Sequence, residues 1–257
     1  VTFLSRLRPA ALALPAAALA FAAPLAAQPL YCPETPVQVA VLGDSLADGI
    51  WGSLFRAWHN CSTVTLHRVT AVSEGLTVTA PDDWVARVAD RLGEGVTADI
   101  VILQFGANDI RPVRTETGRA AFGTPEWHAA YGARAAELLD LLAPHAVEAI
   151  WLGLPIVGDS TLEPSYVEVS GVQAGVVAGA AALPTAFVDL HEATTFGTGA
   201  FVHSLDIDGT MTQLRATDMI HFTEKGYDLE VAVFAPDLEA RLKARDADAA
   251  LNEMALQ

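Results

Sequence analysis

Val37-Gln38-Val39-Ala40-Val41-Leu42-Gly43-Asp44-Ser45-Leu46 runs a strand-forming stretch directly into a glycine, an acid and a serine. The run is apolar on both alternating faces apart from Gln38, which is the pattern of a strand covered above and below in a parallel sheet. Similar runs recur. Residues 63–69, 99–105, 147–152 and 186–190 read as four further strands, the second of them stopping at Gly106. Between them lie helix-length stretches. Residues 47–59 place Ile50, Leu54, Ala57 and Trp58 on one face, 81–92 carry Pro in the first turn and Gly93 at the end, and 125–142 present Leu138, Leu139 and Leu142. Residues 165–182 and 223–243 complete the set, with Thr223 as the N-cap of the last helix. Strand and helix alternate throughout, so the chain reads as α/β with helices on both faces of a parallel sheet of about five strands. Residues 155–164 form a loop. Residues 191–217 lack periodicity, and a connector of that length belongs to a site or its cover.

The chain has 257 residues, 52% hydrophobic and 18% charged, enough for a sizeable core. With no internal repeat and no linker, residues 28–257 read as a single domain. The first residues differ: Arg6 and Arg8 precede an uncharged run over 10–25 and small residues ending at Ala27. This is the pattern of an export signal over 1–27, placing the mature protein in the periplasm or outside the cell. The apolar run is shorter than the ~20 residues of a membrane span and is broken by Pro15 and Pro24, so no stable membrane insertion is expected after cleavage. Pro29-Leu30-Tyr31 lacks the small residues of a lipid-anchor site before Cys32. In an exported chain Cys32 suits a disulfide with Cys61, the alternative being two reduced thiols. A net charge of −16 argues against nucleic acid as a partner. The lysines are Lys225 and Lys243, and neither follows a glycine-rich loop, which excludes a P-loop enzyme.

Three islands carry chemistry: Gly43-Asp44-Ser45-Leu46, Gly106-Ala107-Asn108-Asp109 and Asp218-Met219-Ile220-His221. Ser45 follows a strand end, where open α/β sheets place their ligand crevice. A serine hydroxyl is a weak nucleophile until a base takes its proton, and that base needs an orienting carboxylate. His221 with Asp218 supplies both, and Asn108 supplies an amide for a developing oxyanion. Each island alone is common, but all three at loop positions of one sheet edge are not.

In these three motifs the chain resembles the SGNH hydrolase superfamily, the GDSL-type esterases and lipases, over about residues 37–241. Within it the chain looks closest to an uncharacterised exported bacterial branch, by the stretches 206–216 and His221-Phe222-Thr223. The resemblance implies a three-layer α/β/α, flavodoxin-like doubly wound fold and ester hydrolysis. By position it implies Ser45 as nucleophile, His221 as general base and then acid, and Asp218 as the residue orienting His221. The oxyanion donors it implies are Ser45, Asn108 and Gly75, the last within Ser73-Glu74-Gly75-Leu76. It implies neither cofactor nor metal.

Other signals point elsewhere. Ala47 stands where an α/β-hydrolase elbow needs glycine. Gly93-x-Gly95-x-x-Ala98 precedes a strand, whereas a dinucleotide fingerprint follows one. Asp206-Ile207-Asp208-Gly209 lacks the spacing of a calcium loop. Asp189-Leu190-His191 is the rival acid–histidine pair, while His59, His67, His128, His145 and His203 have no partner at useful spacing. Trp51 and Trp84 are core residues or pocket walls. Arg111 and Arg114, just after Asn108, are solvated loop residues or contacts for an anionic or sugar substrate. Three functions follow: an esterase or deacetylase of envelope or extracellular glycans, a short-chain lipid esterase or thioesterase, or a non-catalytic envelope binding protein. Acyl preference and oligomeric state are not written in these motifs.

Overall fold

A computed structural model describes residues 29–255; the expected export signal, 1–27, lies outside them. Five parallel strands form one sheet in the order β2-β1-β3-β6-β7: β1 (Val37–Gly43), β2 (Val64–Thr70), β3 (Ala98–Gln104), β6 (Ala146–Leu152) and β7 (Thr185–Val188). Two hairpins interrupt the alternation, β4 (Val113–Thr115) with β5 (Gly118–Ala120), and β8 (Ser204–Ile207) with β9 (Thr210–Gln213). The helices are α1 (Ser45–Ala57), α2 (Pro81–Leu92), α3 (Pro125–Leu142), α4 (Glu163–Gly179), α5 (Leu190–Ala193) and α6 (Glu224–Ala255).

Alternation along the strands makes two cores, because successive side chains leave opposite faces. Ala40, Leu42, Val101, Leu103, Ala149 and Trp151 pack beneath α2, α3 and α4. On the other face Val39, Val41, Ile100, Ile102, Ile150 and Leu152 pack against α1 and α6. The three-layer, doubly wound expectation is therefore met. From β1 the chain turns to β2 on one side and returns to β3 on the other, so the topological switch point falls between β1 and β3. Ser45 and Asn108 both follow strands at that crevice.

Three expectations need correction. Residues 191–217 hold α5 and the β8–β9 hairpin, whose short strands have no buried face to give a period. The β4–β5 hairpin went unread because its strands, three residues each, are too short to show a period. The last helix continues beyond residue 243 to Ala255, passing through Pro236. Its extension is clasped by the N-terminal segment: Asp246 accepts from the N–H groups of Glu34 and Thr35, both at 2.9 Å, and from the hydroxyls of Thr35 at 2.6 Å and Tyr31 at 2.8 Å. Arg245 pairs with Asp99 and Arg241 with Glu148, fastening the same helix to the sheet. The hydroxyl of Thr223 accepts from Gly226 N–H at 3.2 Å, as an N-cap does.

A disulfide joins Cys32 and Cys61, 29 positions apart, and pins the clasping segment to the α1–β2 turn. Among the described residues no helix is long and apolar enough to cross a membrane. We expect the Cys32→Ser/Cys61→Ser variant to lose about 2–4 kcal/mol of stability in urea titration, since the unfolded chain regains the entropy of a closed loop. An unchanged midpoint would show that the bond holds nothing.

Candidate active site

Gly43 ends β1 at φ 150°, and a Cβ there would collide with the Gln104 carbonyl of β3, so only glycine lets these strand ends close. Asp44 then caps α1. Its carboxylate accepts from the N–H of Leu46 at 2.9 Å and of Ala107 at 3.2 Å, tying the Ser45 island to the Asn108 island. The group is fully buried, and burial pushes its carboxyl up to about 7, against the Leu46 N–H and with the help of nearby Asp109.

Ser45, the first residue of α1, is half-buried, and its Oγ lies 2.7 Å from His221 Nε2. His221 Nδ1 lies 2.7 Å from Asp218 Oδ2, while Asp218 Oδ1 accepts from the N–H of Ile220 at 2.9 Å and of His221 at 3.0 Å. With Nδ1–H directed at the carboxylate, Nε2 is the acceptor facing the hydroxyl. Partial burial raises the Asp218 carboxyl, but the His221 hydrogen bond and the two N–H groups outweigh it and hold the group below its usual range. The turn carries Met219 at φ 60°.

Arg215 holds that turn from beneath. It is fully buried, donates to the carbonyls of Ile220 at 2.9 Å and Ile156 at 2.7 Å, and lies 3.5 Å from the centre of the Phe222 ring. Burial lowers its guanidinium to about 10, opposed chiefly by the charge of Glu230. Burial also pushes Glu230 up to about 7, opposed by Arg215 and by Gln104 Nε2, which donates to it at 3.2 Å. Gln104 O in turn accepts from Asp44 N–H at 3.2 Å. Buried polar groups thus lie behind both islands, Gln104 and Glu230 behind Asp44 and Arg215 behind Ile220, with Arg215 and Glu230 related by charge alone.

Asp109 organises the other side. Also buried, its carboxylate accepts from the N–H of Leu76 at 3.2 Å and Thr77 at 2.8 Å, the Thr77 hydroxyl at 2.7 Å and the Tyr131 hydroxyl at 3.2 Å. Burial raises this group, and the Thr77 donors pull it back. A Cβ on Gly75 would strike the Asp109 carboxylate, so the loop closes only around glycine. Asn108 Nδ2 donates to the Glu74 carbonyl at 3.1 Å, leaving its second hydrogen unspent. Among the described residues, the N–H groups of Ser45 and Gly75 have no protein acceptor.

The structure thus joins Ser45, His221 and Asp218 in one hydrogen-bonded array and ties Asn108 to the Gly75 loop. The rival pair separates: Asp189 caps α5 through His191 N–H at 2.9 Å, while the His191 ring bonds Glu163. His128 finds Glu168 at 2.6 Å and His67 finds Gln38 at 2.7 Å, partners that sequence spacing did not show. Trp84 is core, edge-on to Phe105; Trp51 is half-buried, stacked on Phe55 beneath Arg68. The supporting groups Asp44, Asp109, Arg215 and Glu230 were not singled out from sequence. Glu230 had a signal, an acid between Leu229 and Val231 on a core-facing helix. A cavity of about 620 Å³ lies away from this array, lined by Leu30, Ser53, Arg56, Asp228, Val231 and Pro236 among others.

A family model described as a protein of unknown function, DUF459, matches residues 38–236, and the chain belongs to that family. No curated protein matches the sequence. Solved structures share the fold. A carbohydrate esterase family 3 protein from Talaromyces cellulolyticus is 16% identical with a TM-score of 0.53, covering 81% of this chain and 99% of its own. A carbohydrate esterase family 2 enzyme with a carbohydrate-binding domain, from Corynascus thermopiles (Myceliophthora fergusii), is 14% identical with a TM-score of 0.54, covering 83% and 68%. A putative acylhydrolase from Bacteroides fragilis is 16% identical with a TM-score of 0.51, covering 81% and 91%. The family match and the shared fold place the chain in the SGNH hydrolase superfamily.

Two outcomes follow from the buried acids. Gly75→Ala forces the loop off the Asp109 carboxylate, and we expect it to destabilise the fold by about 1–3 kcal/mol in urea titration. Asp44 holds its proton to about pH 7 in the fold but only to about pH 4 unfolded, so its contribution is complete below about pH 4 and declines as pH rises toward 7. Asp44→Asn removes that decline. Identical pH dependence of the urea midpoint in both proteins would reject it.

Proposed function

We propose that this chain hydrolyses carboxylic esters through an acyl-enzyme on Ser45, and that its substrates are acylated glycans of the cell envelope or its surroundings. The observation carrying this reading is the array Ser45 Oγ, His221 Nε2, Asp218, with both contacts at 2.7 Å. Ser45 Oγ attacks the ester carbonyl as its proton passes to His221 Nε2, and the imidazolium is stabilised by ionised Asp218. The oxyanion of the tetrahedral intermediate receives the N–H groups of Ser45 and Gly75 and the free hydrogen of Asn108 Nδ2. Collapse expels the alcohol, which takes the proton from His221 and leaves Ser45 acylated. Water, deprotonated by His221, then attacks the acyl carbon. The carboxylic acid departs and the proton returns to Ser45.

Within this reading, residues 1–27 direct export and residues 28–257 form the single catalytic domain, acting in the periplasm or outside the cell. The Cys32–Cys61 bond suits an oxidising compartment. The glycan assignment draws support from the neighbours of the same fold whose names are carbohydrate esterases.

The test is labelling by a fluorophosphonate, followed by acid release from p-nitrophenyl esters of increasing chain length and from acetylated xylan. We expect a label on Ser45, no turnover in a folded Ser45→Ala variant, and turnover lowered by ~10²–10³ in Asn108→Ala. An unlabelled Ser45 in the folded native protein overturns the acyl-enzyme. Preference for long-chain esters over acetylated xylan overturns the glycan assignment.

A further inference from the structure

The β4–β5 hairpin sets two arginines against each other. Arg114 and Arg119 are cross-strand partners, and Arg111 precedes the first strand. Their neighbours in the register, Val113 and Ala120, are buried, so alternation turns Arg114 and Arg119 together to the outer face. All three arginines are exposed. Like charges directly opposite on a ribbon destabilise it, and the chain has abundant acid to relieve them, with 31 Asp and Glu against 15 Lys and Arg. Elsewhere among the described residues Arg56, Arg68, Arg87, Arg241, Arg245 and Lys243 are ion-paired, while Arg91, Arg134, Arg215 and Lys225 stand singly without a carboxylate in salt-bridge distance. Among the described residues, Arg111, Arg114 and Arg119 have no carboxylate partner within salt-bridge distance.

The ribbon is also fixed in place. Arg111 N–H donates to the Asp109 carbonyl at 2.7 Å, and the Arg111 carbonyl accepts from the indole of buried Trp127 at 2.8 Å. Arg111 lies three positions after Asn108, which limits their Cα atoms to about 11 Å apart. Beside the ribbon lies a cavity of about 520 Å³ lined by Thr115, Thr117, Arg119 and Glu126, with alanines between. Hydroxyls and a carboxylate suit sugar hydroxyl groups. The absence of aromatic or large aliphatic side chains from this lining disfavours nucleobases and acyl tails.

We infer that Arg111, Arg114 and Arg119 are a docking surface for the carboxylates of an acidic, uronate-bearing glycan, delivered past Asn108 to the Ser45 site. The inference deepens the esterase reading and rests on it only for the reaction that follows docking. Planar guanidinium groups match carboxylates in forked pairs. On a chain of net charge −16 a polyanion is otherwise repelled, so this patch supplies the local attraction.

The test measures binding without turnover. Polygalacturonate is titrated into the Ser45→Ala protein and into Ser45→Ala carrying Arg114→Gln and Arg119→Gln, with neutral xylan and dextran sulfate as comparison polymers. We expect polygalacturonate to bind the parent more tightly than either comparison polymer and to weaken with added salt, and the arginine variant to lose on the order of tenfold in affinity. If that variant is misfolded by circular dichroism, Arg114→Lys/Arg119→Lys replaces it, with a smaller loss expected because the charge remains without the fork. No binding of polygalacturonate, equal or tighter binding of dextran sulfate, or affinity unchanged by the folded arginine variant overturns the inference. Fluorophosphonate labelling of native Ser45 reports separately on the esterase reading, so the two can fail independently.

Discussion

Two carboxylates buried at the ends of neighbouring strands, Asp44 after β1 and Asp109 after β3, are the constraint on which this sheet edge is built. A buried carboxylate is tolerable only when its oxygens are saturated with donors. Asp44 takes the Leu46 N–H in the first turn of α1 and the Ala107 N–H that leads to Asn108. Asp109 takes four donors from the Gly75 loop and Tyr131. Moving either loop would strip donors from an acid that water cannot reach, so the loops are held where the site needs them. Gly75 follows from the same constraint, since the space a side chain would need is filled by Asp109.

The histidine side is braced differently. A turn containing a residue at positive φ is held on both of its faces, by Asp218 from the solvent side and by Arg215 from the interior. A buried cation is costly unless it is hydrogen-bonded and balanced, and Arg215 has two carbonyls, an aromatic face and the nearby charge of Glu230. Glu230 is in turn hydrogen-bonded by Gln104, whose carbonyl accepts from Asp44 N–H. Ser45 and His221 are thus each backed by buried polar groups between the sheet and α6. The electrostatics of the surface complement this interior: acid predominates over the whole chain, yet the exposed ribbon beside Asn108 is left cationic.

Much of the architecture was legible from residue pattern. Strands buried on both faces are apolar throughout, and helices that cover them repeat with the helical period, so the five-stranded order of elements could be read directly. The bounds of α2 and α3 agree with the reading at both ends, because Pro, Thr124 and Gly93 mark them chemically. The hairpins were illegible because their strands are short and largely exposed, and the first turn of α6 past residue 243 is held by Asp246 contacts with residues distant in sequence. Among histidines, sequence spacing could pair Asp218 with His221, three residues apart, but not His191 with Glu163 or His128 with Glu168.

What the sequence determined by itself, then, was the layered fold and the three islands at strand ends, since hydrophobic period and local turn chemistry are properties of neighbouring residues. What only the tertiary structure decided was which charges the islands lean on. Whether Asp109 meets Gly75, whether Arg215 reaches the Ile156 carbonyl, and whether Gln104 meets Glu230 depend on chain segments brought together by folding. Burial and charge pairing are set by that proximity in space, and no local pattern encodes it.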